Sequence, residues 1–272
     1  MLLLAAWPPA PVRAAEPPSR AELLADVTAV QPGKDFALGV RISLDPGWHT
    51  YWANPGDSGM APELAWTLPE GAALAGALLY PAPTRFADGD LITFGYAHEV
   101  LLIQPIRVSE QVPAGARLTI RLQLRWLICK DLCRTASADL ERTVSVQSDA
   151  PTAAPPEAAR FASARQASSS PLPGWRWRAS AGRKTITLCV AQPEGAPTPD
   201  MKSATFFPLQ RDVVAYAPAP WRRTGGQYCL ELRRFDAGAK LPERLLGVLV
   251  LSPDAPDARR AITVDVPLKA EP

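Results

Sequence analysis

The sequence predicts an all-β protein with two β-sandwich domains joined by a linker. Short runs of alternating apolar and polar residues recur along the chain between turn-forming residues, which is the pattern of half-buried strands. The 272 residues include 30 prolines and 17 glycines, and long amphipathic helical patterns are scarce. The strand pattern stops over residues 149–172, which are rich in Ala, Ser, Pro and Gln, and then restarts. Such a change of composition is typical of a boundary between domains.

The amino terminus predicts an export signal or, alternatively, a disordered apolar leader over residues 1–20. Met1–Trp7 is a short apolar run, and Val12-Arg13-Ala14 resembles the small-residue cleavage site that follows it, as in secretory signal peptides. No later segment reaches the ~18–20 uninterrupted apolar residues of a membrane span. We therefore expect a soluble, exported protein in a compartment where disulfides persist.

The first domain is expected over residues 21–148 and contains the most regular strand. Between Leu118 and Trp126 every second residue is apolar and the intervening positions are polar or charged. This period of two predicts a half-buried β-strand that leads directly into Cys129. The second domain is expected over residues 173–272, where about seven further strand patterns occur.

Cys129 and Cys133 are separated by three residues and are the main candidate for chemistry. A tight turn can bring two such cysteines within disulfide distance, but the closed loop is so short that little stabilisation is expected from it. We therefore favour a redox pair. A structural staple remains an alternative, and half of a zinc site is another, although the chain has only His49 and His98 as histidines and zinc sites usually need four ligands.

The second pair, Cys189 and Cys229, predicts a structural disulfide. Each cysteine lies on the more polar face of its strand pattern, opposite Leu188 and Leu230, so that two neighbouring strands could be bridged. A bridge that closes a loop of about forty residues stabilises by ~3–4 kcal/mol in the chain-entropy model. Two free thiols and a second redox pair are the alternatives.

Charge and histidine content narrow the function classes. A net charge of +2 without a basic cluster argues against nucleic acid as a partner. His49 lies in an aromatic strand pattern, where a packed histidine is the ordinary interpretation. A copper or zinc ligand, together with Met60 or the cysteines, is the alternative. We expect no bound metal and no cofactor.

Three motifs carry a resemblance to a known family: Gly47–Gly59, Phe94–Val100 and Trp126–Cys133. In this order they resemble the amino-terminal periplasmic domain of the thiol:disulfide interchange protein DsbD, and more closely its relative ScsB of the suppressor-of-copper-sensitivity group. The second half also resembles ScsB, in Ala204–Pro208 and beyond. The resemblance therefore extends over nearly the whole mature chain.

The resemblance implies immunoglobulin-like sandwiches and a periplasmic electron relay with a possible role in copper tolerance. Cys129 and Cys133 match the redox pair, with Cys133 favoured as the attacking residue, and Phe94 and Tyr96 match the aromatic cap that shields it. The implied partners are a membrane-embedded thiol reductant of DsbD or CcdA type and periplasmic proteins of the thioredoxin-fold or disulfide-isomerase kind. The alternative function is an exported adaptor or copper-handling module in which Cys129–Cys133 is a permanent disulfide.

Overall fold

The chain folds almost entirely into β-strands in a computed structural model that describes residues 17–150, 157–195, 200–251 and 260–270. The strands of the first half are β1 Ser19–Ala25, β2 Ala29–Val30, β3 Asp35–Leu44, β4 His49–Gly56, β5 Glu63–Thr67, β6 Ala72–Leu74, β7 Thr84–Asp88, β8 Leu91–Ala97, β9 Glu99–Val108, β10 Arg117–Cys129 and β11 Cys133–Val146. A helix follows, α1 Glu157–Ala167. The strands of the second half are β12 Arg176–Ala181, β13 Thr185–Ala191, β14 Thr205–Pro208, β15 Trp221–Thr224, β16 Gln227–Arg233, β17 Arg244–Leu251 and β18 Arg260–Ala270.

Two sheets form the first sandwich. One has the strand order β1-β3-β9-β6, and the other has the order β2-β11-β10-β4-β8-β7, with β5 also paired to β10. The apolar positions predicted for β10 are the buried ones, from Leu118 to Ile128, while the arginines and Gln123 between them are exposed. This alternation turns one face of β10 into the core and leaves the other in solvent.

The first sandwich begins inside the segment expected to be a leader. Ser19 is buried at the start of β1, and its hydroxyl accepts a hydrogen bond of 3.2 Å from the Trp126 indole N–H. The proposed boundary after residue 20 is therefore two residues too late. The rest of the expected leader, residues 1–16, lies outside the described part of the chain.

The segment expected to be a linker contains α1, which packs on the first sandwich. Phe161 is fully buried against β3 and β9, at a point where Gly39 leaves space for its ring. A Cβ at Gly39 would lie 2.7 Å from the Phe161 ring and 2.7 Å from Leu101. Arg165 forms an ion pair of 2.6 Å with Asp26 near the helix end. α1 is neither long nor apolar enough to cross a membrane, and no other helix occurs in the described residues.

The second sandwich is built around one long shared strand. Residues 260–267 of β18 pair with β17, and residues 268–270 pair in parallel with β12, so β18 joins the β14-β17-β18 and β12-β13-β16-β15 layers. Ile186, Leu188, Leu230 and Val264 are among the buried residues that fill the space between them. The expected all-β architecture with sandwich-like sheets is confirmed.

A continuous aromatic cluster joins the two sandwiches. Phe94 on β8 meets Phe207 with ring centroids 5.1 Å apart and Tyr216 with centroids 5.2 Å apart, both edge to face. Trp52 on β4 meets the same Phe207 at 6.3 Å. All four rings are buried and belong to the same apolar core. The second sandwich therefore packs on the first through a shared core.

Asn54 forms hydrogen bonds between the two sandwiches at this junction. Its side chain is fully buried, and its amide N–H₂ donates to the carbonyl oxygens of Pro208 at 2.8 Å and Gln210 at 3.4 Å. Its side-chain oxygen accepts from the Gly56 N–H at 3.1 Å and from the Tyr216 hydroxyl at 3.4 Å. One residue of β4 thus bonds to three groups of the second sandwich.

Replacing Asn54 by alanine should weaken the junction between the sandwiches. The buried partners of Asn54 lose their hydrogen bonds, which costs roughly 1–3 kcal/mol for each group left unsatisfied. We expect wild type to unfold in urea in one transition and Asn54→Ala to unfold in two. Gln104→Ala is the matched control, because Gln104 is also buried but bonds only to Gly76 and Pro105 within the first sandwich. Two transitions in both variants, or in neither, would contradict the assigned role.

Candidate functional site

The β10–β11 hairpin places Cys129 and Cys133 directly opposite each other. Paired residues run without interruption from Arg117 and Ser145 to the two cysteines, which are the last pair before the turn. Their Cα atoms are 4.1 Å apart, and the sulfurs form a disulfide. The register of this long, regular hairpin therefore places Cys129 and Cys133 opposite each other at its turn.

The two cysteines differ sharply in exposure. Cys129 is only 3% exposed, because β4 pairs with the end of β10 on its other side, with His49 opposite Cys129. Cys133 begins the outer strand and is exposed. Leu132, in the turn between them, is 74% exposed. An incoming group can therefore reach Cys133, while Cys129 is covered.

Tyr51 is the aromatic residue in contact with the disulfide. Its hydroxyl donates to Cys129 Sγ at 2.8 Å and lies 3.9 Å from Cys133 Sγ. Burial raises the pKa of Tyr51 above its ordinary value, so the hydroxyl stays protonated at neutral pH and remains a donor. Gly59 packs against the Tyr51 ring so closely that a Cβ at this position would overlap the ring. Gly59 also has a φ of +103°, a backbone conformation that favours glycine.

His49 belongs to the packing around Tyr51. Its ring stacks on Phe86 with centroids 4.7 Å apart and meets Tyr51 edge to face at 5.3 Å. Burial lowers the pKa of His49, which favours the neutral imidazole at neutral pH. Within the described ranges, no group of three or more His, Cys, Asp or Glu side chains is arranged to hold a metal ion. The contacts of His49 are those of a packed ring.

The structure does not bring Phe94 and Tyr96 to the disulfide, so the expectation that they cap it is wrong. In the pairing of β4 with β8, Tyr96 lies opposite Thr50 and Gly95 lies opposite Tyr51. Opposed residues share a face of the sheet and successive residues alternate, so Phe94 and Tyr96 lie on the core face, whereas Cys129 lies on the face of His49 and Tyr51. The Tyr96 hydroxyl donates to the Pro81 carbonyl at 2.7 Å, and Phe94 packs at the junction described above.

Two cations flank the turn of the hairpin. The Arg134 guanidinium lies 5.6 Å from the centre of the Trp48 ring, a cation–π contact at an exposed site. The Lys130 side chain packs against Gly47, because a Cβ placed on Gly47 would lie only 3.0 Å from Lys130 Cε. Asp131 is exposed. The surface around Cys133 therefore combines two positive charges and one negative charge with the apolar side chain of Leu132.

Cys189 and Cys229 form a second disulfide, as a cross-strand pair. They lie directly opposite each other on β13 and β16, with Cα atoms 4.1 Å apart and a sequence separation of 40. The neighbours Leu188 and Leu230 are buried on the other face. The two faces inferred from the alternation of the strands are those that the structure shows.

Residues 20–145, just under half of the chain, match the family model of the N-terminal domain of the thiol:disulfide interchange protein DsbD. This segment is similar to the DsbD N-terminal domain family, as the three sequence motifs predicted. It comprises the first sandwich and contains both cysteines of the hairpin. None of the curated protein sequences matches the chain significantly.

Solved structures extend the fold beyond the DsbD N-terminal domain. The N-terminal periplasmic domain of ScsB from Proteus mirabilis aligns with a TM-score of 0.62 at 18% identity, over 92% of this chain and 92% of that chain. This similarity shows that the chain shares the fold of that ScsB domain. The reduced DsbD N-terminal domain of Neisseria meningitidis aligns with a TM-score of 0.27 at 14% identity, over 45% of this chain and 84% of that chain.

Sequence reasoning missed Tyr51 as a site residue. It lies in the Gly47–Gly59 motif that carried the family resemblance, and the strand alternation places it two residues from His49 on the same face. What the sequence lacked was the pairing of β4 with the end of β10, which joins residues almost eighty positions apart. That pairing makes Tyr51 a neighbour of Cys129.

Removing the Tyr51 hydroxyl should slow the opening of the Cys129–Cys133 disulfide. When a thiolate attacks Cys133, the leaving sulfur is Cys129, and a hydrogen bond to a charged group contributes about 1.5–3 kcal/mol. We expect Tyr51→Phe to reduce the rate of reduction by dithiothreitol by about tenfold to a hundredfold. Tyr96→Phe is the control, since its hydroxyl bonds to Pro81 on the opposite face. Equal rates in wild type and Tyr51→Phe would contradict this role.

Proposed function

We propose that this chain is a periplasmic thiol:disulfide interchange protein whose Cys129–Cys133 pair relays electrons. The donor is a membrane-embedded thiol reductant of DsbD or CcdA type, and the acceptors are exported proteins of the thioredoxin-fold or disulfide-isomerase kind. The match of residues 20–145 to the DsbD N-terminal domain family supports thiol:disulfide interchange. The observation that carries the direction of attack is the contrast between exposed Cys133 and covered Cys129.

In the reducing half of the cycle, the donor opens the disulfide at Cys133. A donor thiolate attacks Cys133 Sγ, a mixed disulfide forms, and the Cys129–Cys133 bond breaks with its electron pair on Cys129. A second donor thiol then attacks the mixed disulfide, releases Cys133 as a thiolate and leaves the donor oxidised. The pair gains two electrons and, once both thiols are protonated, two protons.

In the oxidising half, the reduced pair passes these electrons to a substrate disulfide. The Cys133 thiolate attacks one substrate sulfur, and the other substrate sulfur leaves as a thiolate that takes up a proton. Cys129 then attacks Cys133 Sγ, which restores the Cys129–Cys133 disulfide and releases the second substrate thiolate. Cys129 can act from its covered position because β10 and β11 hold it opposite Cys133.

Tyr51 is proposed to position and stabilise Cys129 in both halves. Its protonated hydroxyl lies 2.8 Å from Cys129 Sγ, so it can donate to the sulfur whenever that sulfur carries negative charge. A hydrogen bond to a charged group is stronger than one to a neutral group. The same hydroxyl therefore favours departure of Cys129 more than it favours the intact disulfide.

The surface around the turn supports docking of a partner at Cys133. Leu132 is 74% exposed, and the exposed charges around it are Lys130, Arg134 and Asp131, one more positive than negative. An exposed apolar side chain at the tip of a turn gives a partner an apolar contact directly beside the attackable sulfur, and the charges favour a partner with an acidic rim.

A permanent clip is a weaker interpretation of the same disulfide. The bridge closes a loop of only three intervening residues at the end of an already paired hairpin. The chain-entropy model gives the least stabilisation to such short loops. A staple would also gain nothing from leaving one sulfur accessible to solvent.

Single-cysteine variants should separate the attacking residue from the resolving one. Cys129→Ala retains the exposed Cys133 and should accumulate mixed disulfides with partner thiols, because Cys129 is no longer present to resolve them. Cys133→Ala retains only the covered Cys129 and should trap several times less. Mass spectrometry of mixed disulfides formed with a disulfide-bonded thioredoxin-fold protein measures both.

The double variant Cys129→Ala/Cys133→Ala gives the background of this experiment, since Cys189 and Cys229 remain joined. Equal trapping by the two single variants would contradict the assignment of Cys133. Absence of trapping by both would contradict the proposed exchange function itself.

A further inference from the structure

A cavity of about 330 Å³ lies where the two sandwiches meet, away from the cysteine pair. Arg85 of β7 lines it from the first sandwich. All its other lining residues belong to the second sandwich: 202–206, 208, 214–220, 230 and 232. This volume lies at the lower end of the range of small-molecule sites, roughly 300–1,000 Å³.

Arg85 is half-buried and lines this junction from β7. It lies opposite Phe94 in the β7–β8 pairing, so it shares the face on which Phe94 meets the second sandwich. Arg85 Nε is buried and makes no hydrogen bond within the described part of the chain. Burial also lowers the pKa of Arg85. A covered cationic N–H without an acceptor costs free energy that a bound anion would recover.

The charge of the cavity lining is entirely positive. Arg85 and Lys202 are its charged residues, and no Asp or Glu is among the lining residues that the structure describes. Asp200, two residues before Lys202, accepts hydrogen bonds from the Lys202 backbone N–H and the Ser203 hydroxyl. Both oxygens of its carboxylate thus already accept hydrogen bonds within its own loop.

The remaining wall presents apolar side chains beside polar groups, including those of Ser203 and Thr205. Phe206, Tyr216 and Leu230 are buried residues of the lining, and Pro208, Pro218 and Pro220 also line the cavity. These apolar side chains suit the apolar body of a ligand. A phosphate ion is surrounded by oxygens and needs donors on every side, which these apolar side chains do not supply.

We propose that this cavity binds a small organic carboxylate, with the carboxylate on Arg85 and the apolar part of the ligand against Phe206 and Tyr216. A guanidinium offers two parallel N–H donors, which match the two oxygens of a carboxylate. Lys202 is exposed and adds a second positive charge. The ligand would touch both sandwiches and so tighten their junction, which is a property separate from electron relay at Cys133.

Isothermal titration calorimetry of the full chain tests this site with three probes. Phenylacetate carries the carboxylate and an apolar body, phenylacetamide has the same shape without the charge, and inorganic phosphate has charge without the body. We expect phenylacetate to bind with a Kd of about 1 mM or tighter, as suits a ligand of its size. We expect the amide and phosphate to bind at least tenfold more weakly.

Arg85→Gln and Arg142→Gln form a matched pair of variants. Arg142 also has a buried Nε without a hydrogen-bond partner, but it lies on β11 and is not part of the cavity lining. Arg85→Gln should weaken phenylacetate binding by about tenfold or more, because a charge-assisted hydrogen bond becomes a neutral one. Arg142→Gln should bind as wild type does.

Three results would overturn the site. One is no phenylacetate binding by wild type at concentrations tenfold above the expected Kd, a test that needs no variant to fold. Another is equal binding of phenylacetate and phenylacetamide, and the third is tighter binding of phosphate than of phenylacetate. Should Arg85→Gln fail to fold, Lys202→Gln, at an exposed position, replaces it with an expected loss of a fewfold. None of these results bears on the redox activity of Cys129 and Cys133.

Discussion

The register of the β10–β11 hairpin is the constraint on which the site depends. Thirteen consecutive residue pairs end with Cys129 opposite Cys133. A slip of one residue would move the side chains of a strand to the other face of its sheet and would separate the sulfurs. The buried alternation of β10 fixes the register, since a slip would also expose the apolar residues from Leu118 to Ile128. Core packing along the whole hairpin thus determines the geometry of its last pair.

Strand β4 links that site to the second sandwich. Its first residues, His49 and Tyr51, lie beside Cys129, while Trp52 and Asn54 reach Phe207 and Pro208. The cover over Cys129 and the contact with the second sandwich are therefore made by the same eight-residue strand. This arrangement gives the second sandwich a physical connection to the site, even though the family match is confined to residues 20–145.

Local patterns in the sequence predicted the features that depend on one strand alone, namely where the strand lies and which of its faces is buried. The alternation of Leu118–Trp126 gave β10 nearly to the residue, and the faces of Cys189 and Cys229 followed from their own strands. Features that depend on which strands become neighbours were not predictable in this way. Phe94 and Tyr96 are aromatic residues of the kind that could cap the disulfide, but the β4–β8 register places their side chains on the core face of the sheet.

The measurement that tests the central claim most directly is the redox equilibrium of the two disulfides in glutathione buffers, with mass spectrometry to locate the reduced cysteines. An exchange site should have a potential near those of known exchange proteins, about −120 to −270 mV, whereas structural disulfides lie below about −300 mV. We expect Cys129–Cys133 to open in the first range while Cys189–Cys229 stays joined. If Cys129–Cys133 resists reduction as firmly as Cys189–Cys229, the pair is a structural bridge and the proposed electron relay is wrong.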